Sequence, residues 1–399
     1  MNIKRLRSFF PALSDGKKIY FDNAATSLTP KPVIDEVVSY YEKFGVNAGR
    51  GAYRLAFELS MKLEEARENV ASFINASPEE IVFTFNTTDS INKLALSLDL
   101  KPEDRVLITQ IEHHSNLLPW KLLEKNKEVK VDVLPVNEEG GIDIDLLDKY
   151  LKNKSKMFAF TAASNVLGTI LKAKEMSDLA HTNGALVLID AAQIVGHRKF
   201  DAREVGCDFA AFSAHKMCGP PGVGVLYIKK GAEKHLSPAF LGGGTVKEIS
   251  GNQFFLREHP YDFEPGTLNI PGILGFNQAV KFVENIGLDN IERKIQNLYR
   301  FIINELSSNK NILLYNNTLE ENVGIVSFNI KGVSPHQAAV AYDNLGNIML
   351  RSGFHCAIPF VQAIGAKEGT IRASVAFYNT IEEAERFIEI TSEVISAIK

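Results

Sequence analysis

Cysteine is scarce in this chain of 399 residues: Cys207, Cys218 and Cys356 are the only three, odd in number and widely spaced. That count excludes a disulfide framework and suits a reducing compartment, so the chain is expected in the cytoplasm. No CxxC pair and no HExxH sequence occurs, so no metal centre is expected. Long apolar runs are lacking as well. A stretch such as Ala185 to Ile189 is far too short to cross a bilayer, and the N-terminal MNIKRLRSFFPALSDG has no apolar core of signal-peptide length. Neither sign of charge is in large excess; the formal net charge of -4 argues against a nucleic-acid surface. No GxGxxG follows an early strand, and the GPPGVG and GGG stretches lack the spacing of a nucleotide P-loop. There is no internal repeat and no low-complexity tract.

What remains is ordinary globular composition, 45% hydrophobic and 23% charged, with length enough for two domains. IYFDNAAT (19–26) reads as a short strand ending in a polar turn, followed by a helix from Lys31 to Phe44 with Pro32 in its first turn. A Gly-rich loop, NAGRGAY, carries Arg50, and a helix over 56–74 shows a charged face with Glu64, Glu65, Arg67 and Glu68. From Glu80 onward strand-like runs (81–85, 106–109, 129–134, 157–161, 185–189, 209–212) alternate with helix-like segments (90–98, 117–125, 144–152, 174–183). Apolar strands alternating with helices predict an α/β fold with a mostly parallel sheet covered on both faces. Past Pro271 the alternation breaks down. Helices over 273–284, 288–307, 335–345 and 380–398 mix with strands over 324–330, 348–351 and 371–376, which predicts a smaller α+β region.

In sheets of this kind ligands bind outside the carboxyl ends of the strands, so the polar residues that stop each strand are the candidates. Thr87, Thr88, Asp89 and Ser90 follow IVFTF and open a helix, which makes either an anion site suited to phosphate or a plain N-cap. His113 and His114 follow VLITQIE, where an imidazole stacks on a planar ring or a surface pair simply sits in solvent. Ser164 and Asn165 end MFAFTAA. Asp190 ends ALVLI, with Gln193 three residues on; a buried carboxylate there needs a cationic partner such as a protonated pyridine nitrogen, or else serves as a helix cap. Lys216 stands where the run Phe209 to Phe212 halts, ahead of the turn Gly219-Pro220-Pro221-Gly222 and the strand-like 223–228. Taken alone, it reads rather as a solvated loop lysine, and what favours the other reading lies elsewhere in the chain. Placed low in an apolar cleft, it is favoured as the neutral amine, which forms a Schiff base with a carbonyl, most often that of pyridoxal phosphate (PLP). Phosphate anchor, ring stacker, ring-oxygen donor, pyridinium partner and lysine then occur in one chain, each at a strand end.

The chain resembles the fold-type I PLP enzymes of the class V aminotransferase family, and within them the SUF-type (group II) cysteine desulfurases. The likeness runs through YFDNAAT, NTTDSIN, EHHSNLLPW, ASNVLGT, DAAQ, FSAHK, GPPGVGVLY and FEPGTLN to RSGFHCA, IRAS and YNT. It implies a seven-stranded, mostly parallel sheet sandwiched by helices in a large domain of residues 15–272. A small α+β domain would comprise 1–14 with 273–399 and carry the active cysteine. It implies that Lys216 bears the cofactor and takes the substrate α-proton, that His113 stacks on the ring, and that Asp190 pairs with the ring nitrogen. Gln193 would bond the phenolic oxygen, and Thr88, Ser213 and His215 the phosphate. Thr267 would reach the phosphate of the opposite subunit in a homodimer with shared sites. Arg372, helped by Asn165, would hold the substrate carboxylate, with Arg351 and Arg50 near the cleft mouth. Cys356, its thiol acidified by Arg351 and His355, would take sulfur from L-cysteine as a persulfide, releasing L-alanine and passing sulfur to an acceptor scaffold protein for iron–sulfur cluster or other sulfur-compound synthesis. Cys207 reads as core; Cys218 could line the pocket. Three positions depart from the family pattern: Phe354 and Gly49 stand where histidines are usual, and Ala191 makes DAAQ of a DGAQ-like motif. L-selenocysteine would suit the same groups, so a selenocysteine lyase is the neighbouring reading. More distant readings are a cystine or cysteine C–S lyase, which needs no protein thiol, another class V PLP enzyme, a scaffold without catalysis, and a nucleotide-binding module.

Overall fold

A computed structural model describes residues 2–49, 51–316 and 321–398. Apolar side chains on both faces of consecutive strands force a sheet to be covered on both sides, and that is how the chain folds. A seven-stranded sheet runs, edge to edge, through Ile81–Thr84, Gly224–Ile228, Phe209–Ser213, Leu186–Asp190, Ser155–Thr161, Arg105–Thr109 and Lys130–Leu134. All neighbours are parallel except Gly224–Ile228, which is antiparallel to both of its partners. Register pairs Thr161 with Asp190 and Asp190 with Ala211, so the polar strand ends lie side by side along one edge. One core on one face joins Phe158, Phe160, Val187, Ile189 and Phe212 to the helix Ile270–Ile286. The other packs Val106, Ile108, Leu188 and Phe209 against Trp120 and Leu94.

The antiparallel strand begins at the same edge where its neighbours end. Gly224 sits between Thr84 and Ser213, and a Cβ there would lie 2.6 Å from the Asn86 Cα. Only glycine allows this strand and the Asn86 cap of the helix Thr87–Ser97 to come this close. That helix is capped by Asn86, whose Oδ1 accepts from the Asp89 N–H at 2.9 Å.

The C-terminal third builds a four-stranded antiparallel sheet in the order Ile312–Leu314, Ile325–Ile330, Thr370–Ser374, Arg351–Gly353. Its core gathers Phe328, Tyr342 and Phe387 together with Leu6, Phe10 and Leu13 from the N-terminal arm. The strand Ile19–Tyr20 pairs in parallel with Ile348–Met349 and ties the two regions together. No helix among the described residues is long and apolar enough to cross a membrane.

Three features differ from the sequence reading. The helix after the histidine pair starts at His114 rather than 117, because His113 caps it through Nδ1 to the Ser115 N–H. A hairpin, Val246–Ser250 with Gln253–Leu256, exposes Ile249, Phe254 and Phe255; with neither face buried it has no alternation to betray it. Arg67, expected on a charged outer face, is 3% exposed. Its guanidinium forms a bidentate pair with Glu264 at 2.8 and 3.0 Å and donates to the Ile81 carbonyl at 2.7 Å, while Glu264 also accepts from the Phe83 N–H. The edge strand is thereby anchored to the 264–270 segment. Replacing one member of such a pair strands the other charge, so Arg67→Met is expected to cost about 3–5 kcal/mol, measured as a lowered urea midpoint.

Candidate active site

The aligned strand ends line a cavity of about 460 Å³. It brings together Thr88, His113, Asn165, Asp190, Gln193, Ser213, His215, Lys216, Arg351, Cys356 and Arg372. Thr267 is not among them; it is exposed and borders a separate cavity of about 500 Å³. Arg50 lies outside the described residues.

Lys216 closes a short 3-10 turn, Ala214–Lys216, directly after the strand ending in Ser213. Burial lowers its amine to about 8, partly opposed by the carboxylate of Asp190, while the charge of Arg372 lowers it further. About a tenth of the amine is then neutral at pH 7, against roughly four in ten thousand for an ordinary lysine. Asp190, 4% exposed, accepts one hydrogen bond, from the Ala192 N–H at 3.0 Å. It has no ion pair among the described residues. Burial therefore raises its carboxyl above the usual range, and Lys216 only partly offsets this. A buried carboxylate with so few partners is the acceptor that a protonated pyridine nitrogen satisfies.

Around this pair the donors fit the rest of PLP. The helix Thr87–Ser97 points its N-terminus into the cavity, where backbone N–H groups and the helix dipole favour an anion. Ser213 Oγ accepts from the Thr87 N–H at 2.8 Å, and Thr88 Oγ1 lies 2.6 Å from Ser115 Oγ. Ser115 in turn meets His113 Nδ1 at 2.9 Å. Burial, then the nearby Lys216, pushes His113 down to about 3 and His215 to about 4, so both rings are neutral. Gln193 is held by its Nε2 donating to the Ala24 carbonyl at 2.9 Å.

The opposite wall comes from the C-terminal sheet. Arg372, 3% exposed, donates from Nη1 to the Asn165 carbonyl at 2.8 Å and from Nη2 to Asp22 at 3.3 Å. Its Nε is buried and has no hydrogen-bond partner among the described residues. Burial lowers this guanidinium to about 10, against the pull of Asp22. A buried cation with an unused donor suits a carboxylate ligand.

Cys356 is exposed, and it and His355 both adopt left-handed backbone, φ +56° and +50°. Three contacts hold this turn from across the cavity. Asn165 Nδ2 donates to the His355 carbonyl at 2.7 Å, the His114 N–H donates to the Cys356 carbonyl at 2.7 Å, and His114 Nε2 accepts from the Ile358 N–H at 3.3 Å. The two adjacent histidines thus divide their work: His113 faces the cavity and His114 grips the cysteine turn.

Two expectations need correction. His355 does not acidify the thiol: burial and the charges of Arg372 and Arg351 drive its imidazole down to about 2, and Nε2 is engaged by Thr370 Oγ1 at 2.8 Å. A neutral ring offers no cation. Cys218 does not line the cavity; it is 1% exposed inside the C-terminal core, and burial raises its thiol to about 12. Cys207 is core, as expected.

Sequence reasoning assigned nothing to Asp22 and Glu112. Asp22 stands in YFDNAAT, where a carboxylate between a strand and a small-residue turn was the available signal. Glu112, 2% exposed, is held by Thr109 Oγ1, by Asn116 Nδ2 at 2.7 Å and by the Thr161 N–H at 3.0 Å. Burial raises its carboxyl to about 8. It braces the strand ends at 109 and 161 against the helix that His113 caps.

A mostly parallel sheet whose strand ends converge on a half-buried lysine, a buried carboxylate and a neutral imidazole defines a PLP enzyme of fold-type I. The chain belongs to the aminotransferase class-V family, whose family model matches residues 19–387. It is 40% identical over 398 residues to a probable cysteine desulfurase of Methanothermobacter thermautotrophicus, covering 99% of this chain and 98% of that one. It is 35% identical over 376 residues to a cysteine desulfurase of Haloferax volcanii, covering 93% and 88%. Among solved structures, the apo cysteine desulfurase of Thermococcus onnurineus NA1 superposes with a TM-score of 0.95 at 39% identity, covering 100% and 99% of the two chains. The Escherichia coli cysteine desulfurase CsdA, in an S-sulfonic acid form, does so at 0.92 and 31% identity, covering 100% and 99%.

The neutral form of Lys216 gives a checkable pH response. Loading of PLP onto the cofactor-free protein, followed by visible absorption, is expected to rise with pH through about 8. Because Asp190 stabilises the ammonium form, Asp190→Asn should move that midpoint to lower pH.

Proposed function

We infer that this chain is a PLP-dependent cysteine desulfurase, converting L-cysteine to L-alanine and receiving the sulfur on Cys356. One observation carries the reading: an exposed thiol, a half-buried lysine and a buried arginine with an unused donor border one cavity. A C–S lyase would have no use for that thiol.

When bound, PLP supplies a carbonyl carbon for amines and a ring that draws electrons from the substrate α-carbon. Thr88, Ser213 and His215 would hold its phosphate, Gln193 its phenolic oxygen, Asp190 its ring nitrogen, and His113 would cover its face. Arg372, steadied by the Asn165 carbonyl, binds the substrate carboxylate through its free donors. Lys216, with an amine near neutrality at working pH, is suited to take the α-proton and return one. Cys356 attacks as the thiolate, the form in which cysteine is nucleophilic. The S–S bond forms as the substrate Cβ–S bond breaks; the carbon gains a proton and leaves as alanine, and the persulfide stays on the enzyme.

The SUF-type assignment is supported by the short cysteine segment, since the helix Ile358–Ala363 begins one residue after Ala357. A division into residues 15–272 and 1–14 with 273–399 is supported by the packing of Leu6, Phe10 and Leu13 into the C-terminal core. The remote, exposed position of Thr267 accords with service to a second copy of the chain, in a homodimer with shared sites. An acceptor scaffold protein would collect sulfur at the exposed Cys356, in the cytoplasm that the few, unpaired cysteines suit.

Mass spectrometry after L-cysteine treatment is expected to find one added sulfur on the Cys356 peptide. Cys356→Ala should lose both that mass and alanine release on cysteine while keeping the visible absorption of bound PLP. Unchanged cysteine turnover in that variant would falsify the persulfide reading. For the shared site, mixing Lys216→Ala with Thr267→Ala chains should restore cofactor retention at one site per pair, measured by absorption per protein; no recovery counts against a partner-supplied Thr267.

A further inference from the structure

The helix His114–Lys127 opens on a capped turn in which Ser115 makes three contacts. Its backbone N–H donates to His113 Nδ1 at 3.1 Å, and its Oγ lies 2.9 Å from the same nitrogen. That Oγ also lies 2.6 Å from Thr88 Oγ1. Ser115 is 9% exposed, so water competes little for these groups. Nδ1 is thus turned toward the start of the helix that His113 caps. The ring lines the cavity, and its Nε2 has no hydrogen-bond partner among the described residues.

A backbone N–H can only donate, so the ring nitrogen that receives it carries a lone pair and no hydrogen. A ring with its hydrogen on Nδ1 would set that hydrogen against the Ser115 N–H, and a doubly protonated ring would do the same. The neutral ring that remains carries its one hydrogen on Nε2. Burial and the charge of Lys216, which hold His113 neutral, act in the same sense. The hydroxyls then fall into order. Facing a bare Nδ1, Ser115 Oγ spends its hydrogen there, and Thr88 Oγ1 donates to Ser115. Hydrogens therefore run in one direction, from Thr88 to Ser115 to His113 Nδ1.

We propose that Ser115 is a positioning residue: with its N–H and its hydroxyl it locks His113 in the tautomer that bears its hydrogen on Nε2. The ring thereby meets a ligand in the cavity as a hydrogen-bond donor. It can lend a hydrogen to an atom above the cofactor site and has no lone pair there to accept one, which leaves proton acceptance to Lys216. That use in the reaction rests on the reading of this cavity as the PLP site; the tautomer itself does not.

The test is nitrogen NMR of the full chain carrying isotope-labelled histidine, at neutral pH, before and after PLP loading. The His113 signals, one set among nine histidines, are assigned by their loss in His113→Gln. In wild type Nδ1 is expected to resonate as a bare, hydrogen-bonded ring nitrogen and Nε2 as one bonded to hydrogen. Ser115→Ala removes the hydroxyl and keeps the N–H. The tautomer should hold in this variant, while the Nδ1 signal shifts toward that of a free lone pair. Ser115→Thr returns a hydroxyl and should bring the signal back. Hydrogen found on Nδ1 in wild type overturns the proposal, as does an Nδ1 signal that Ser115→Ala leaves in place. Should Ser115→Ala not fold, the wild-type tautomer decides: hydrogen on Nε2 alone supports the lock, and any other state overturns it. A protein that shows this tautomer but takes up no PLP refutes the cofactor reading and leaves the hold of Ser115 on His113 standing.

Discussion

Asp190 and Lys216 stand at the ends of neighbouring strands in surroundings that disfavour both of their charges. Burial raises the carboxyl and lowers the amine, and each group moderates the shift of the other. The rest of the cavity is built to keep this balance. Two neutral imidazoles, His113 and His215, flank the amine without adding charge. The cations are held on the far wall, with Asp22 set between them. A ligand that brings a positive ring nitrogen and a negative phosphate completes the charges at both ends of the same floor.

The two walls belong to different sheets, and two residues at the cavity each join them twice. Asn165 contributes twice, its carbonyl to Arg372 and its amide to the His355 carbonyl. His114 contributes twice again to the turn around Cys356. This loop and this helix start act beside the segment 22–27, whose Ala24 N–H donates to Ser374 Oγ and whose Ser27 Oγ donates to the His215 carbonyl, in setting the distance between the lysine floor and the thiol. The brace supplied by Glu112 acts one residue before this pair, so the strand ends, the ring-facing histidine and the cysteine turn are linked through five consecutive residues, 112–116.

Much of this was legible in the residues, and for a physical reason. Strands buried on both faces are written as apolar runs, and a polar residue that halts such a run marks the edge where a ligand sits. Asp190, Ser213 and Lys216 announced themselves that way, as did Thr88 and His113. What stayed hidden depends on contacts between distant segments. Arg67 looks like any charged helix residue until Glu264, almost two hundred positions away, is placed beside it. Asp22 gives no hint of its two arginines, and His355 reads as a cation until the surrounding burial is known. Local spacing encodes strand ends well; it does not encode the charge state of a group whose neighbours come from elsewhere.

The left-handed turn at His355 and Cys356 limits which side chains can stand in the reactive position. Branching at Cβ crowds the backbone at positive φ, so threonine, valine or isoleucine at 356 would reshape the turn, whereas alanine and serine intrude far less. Chemical repertoire at this spot is thus narrowed by backbone shape as well as by reactivity: a hydroxyl nucleophile could be installed there as serine but not as threonine without surrendering the geometry that points it at the cavity.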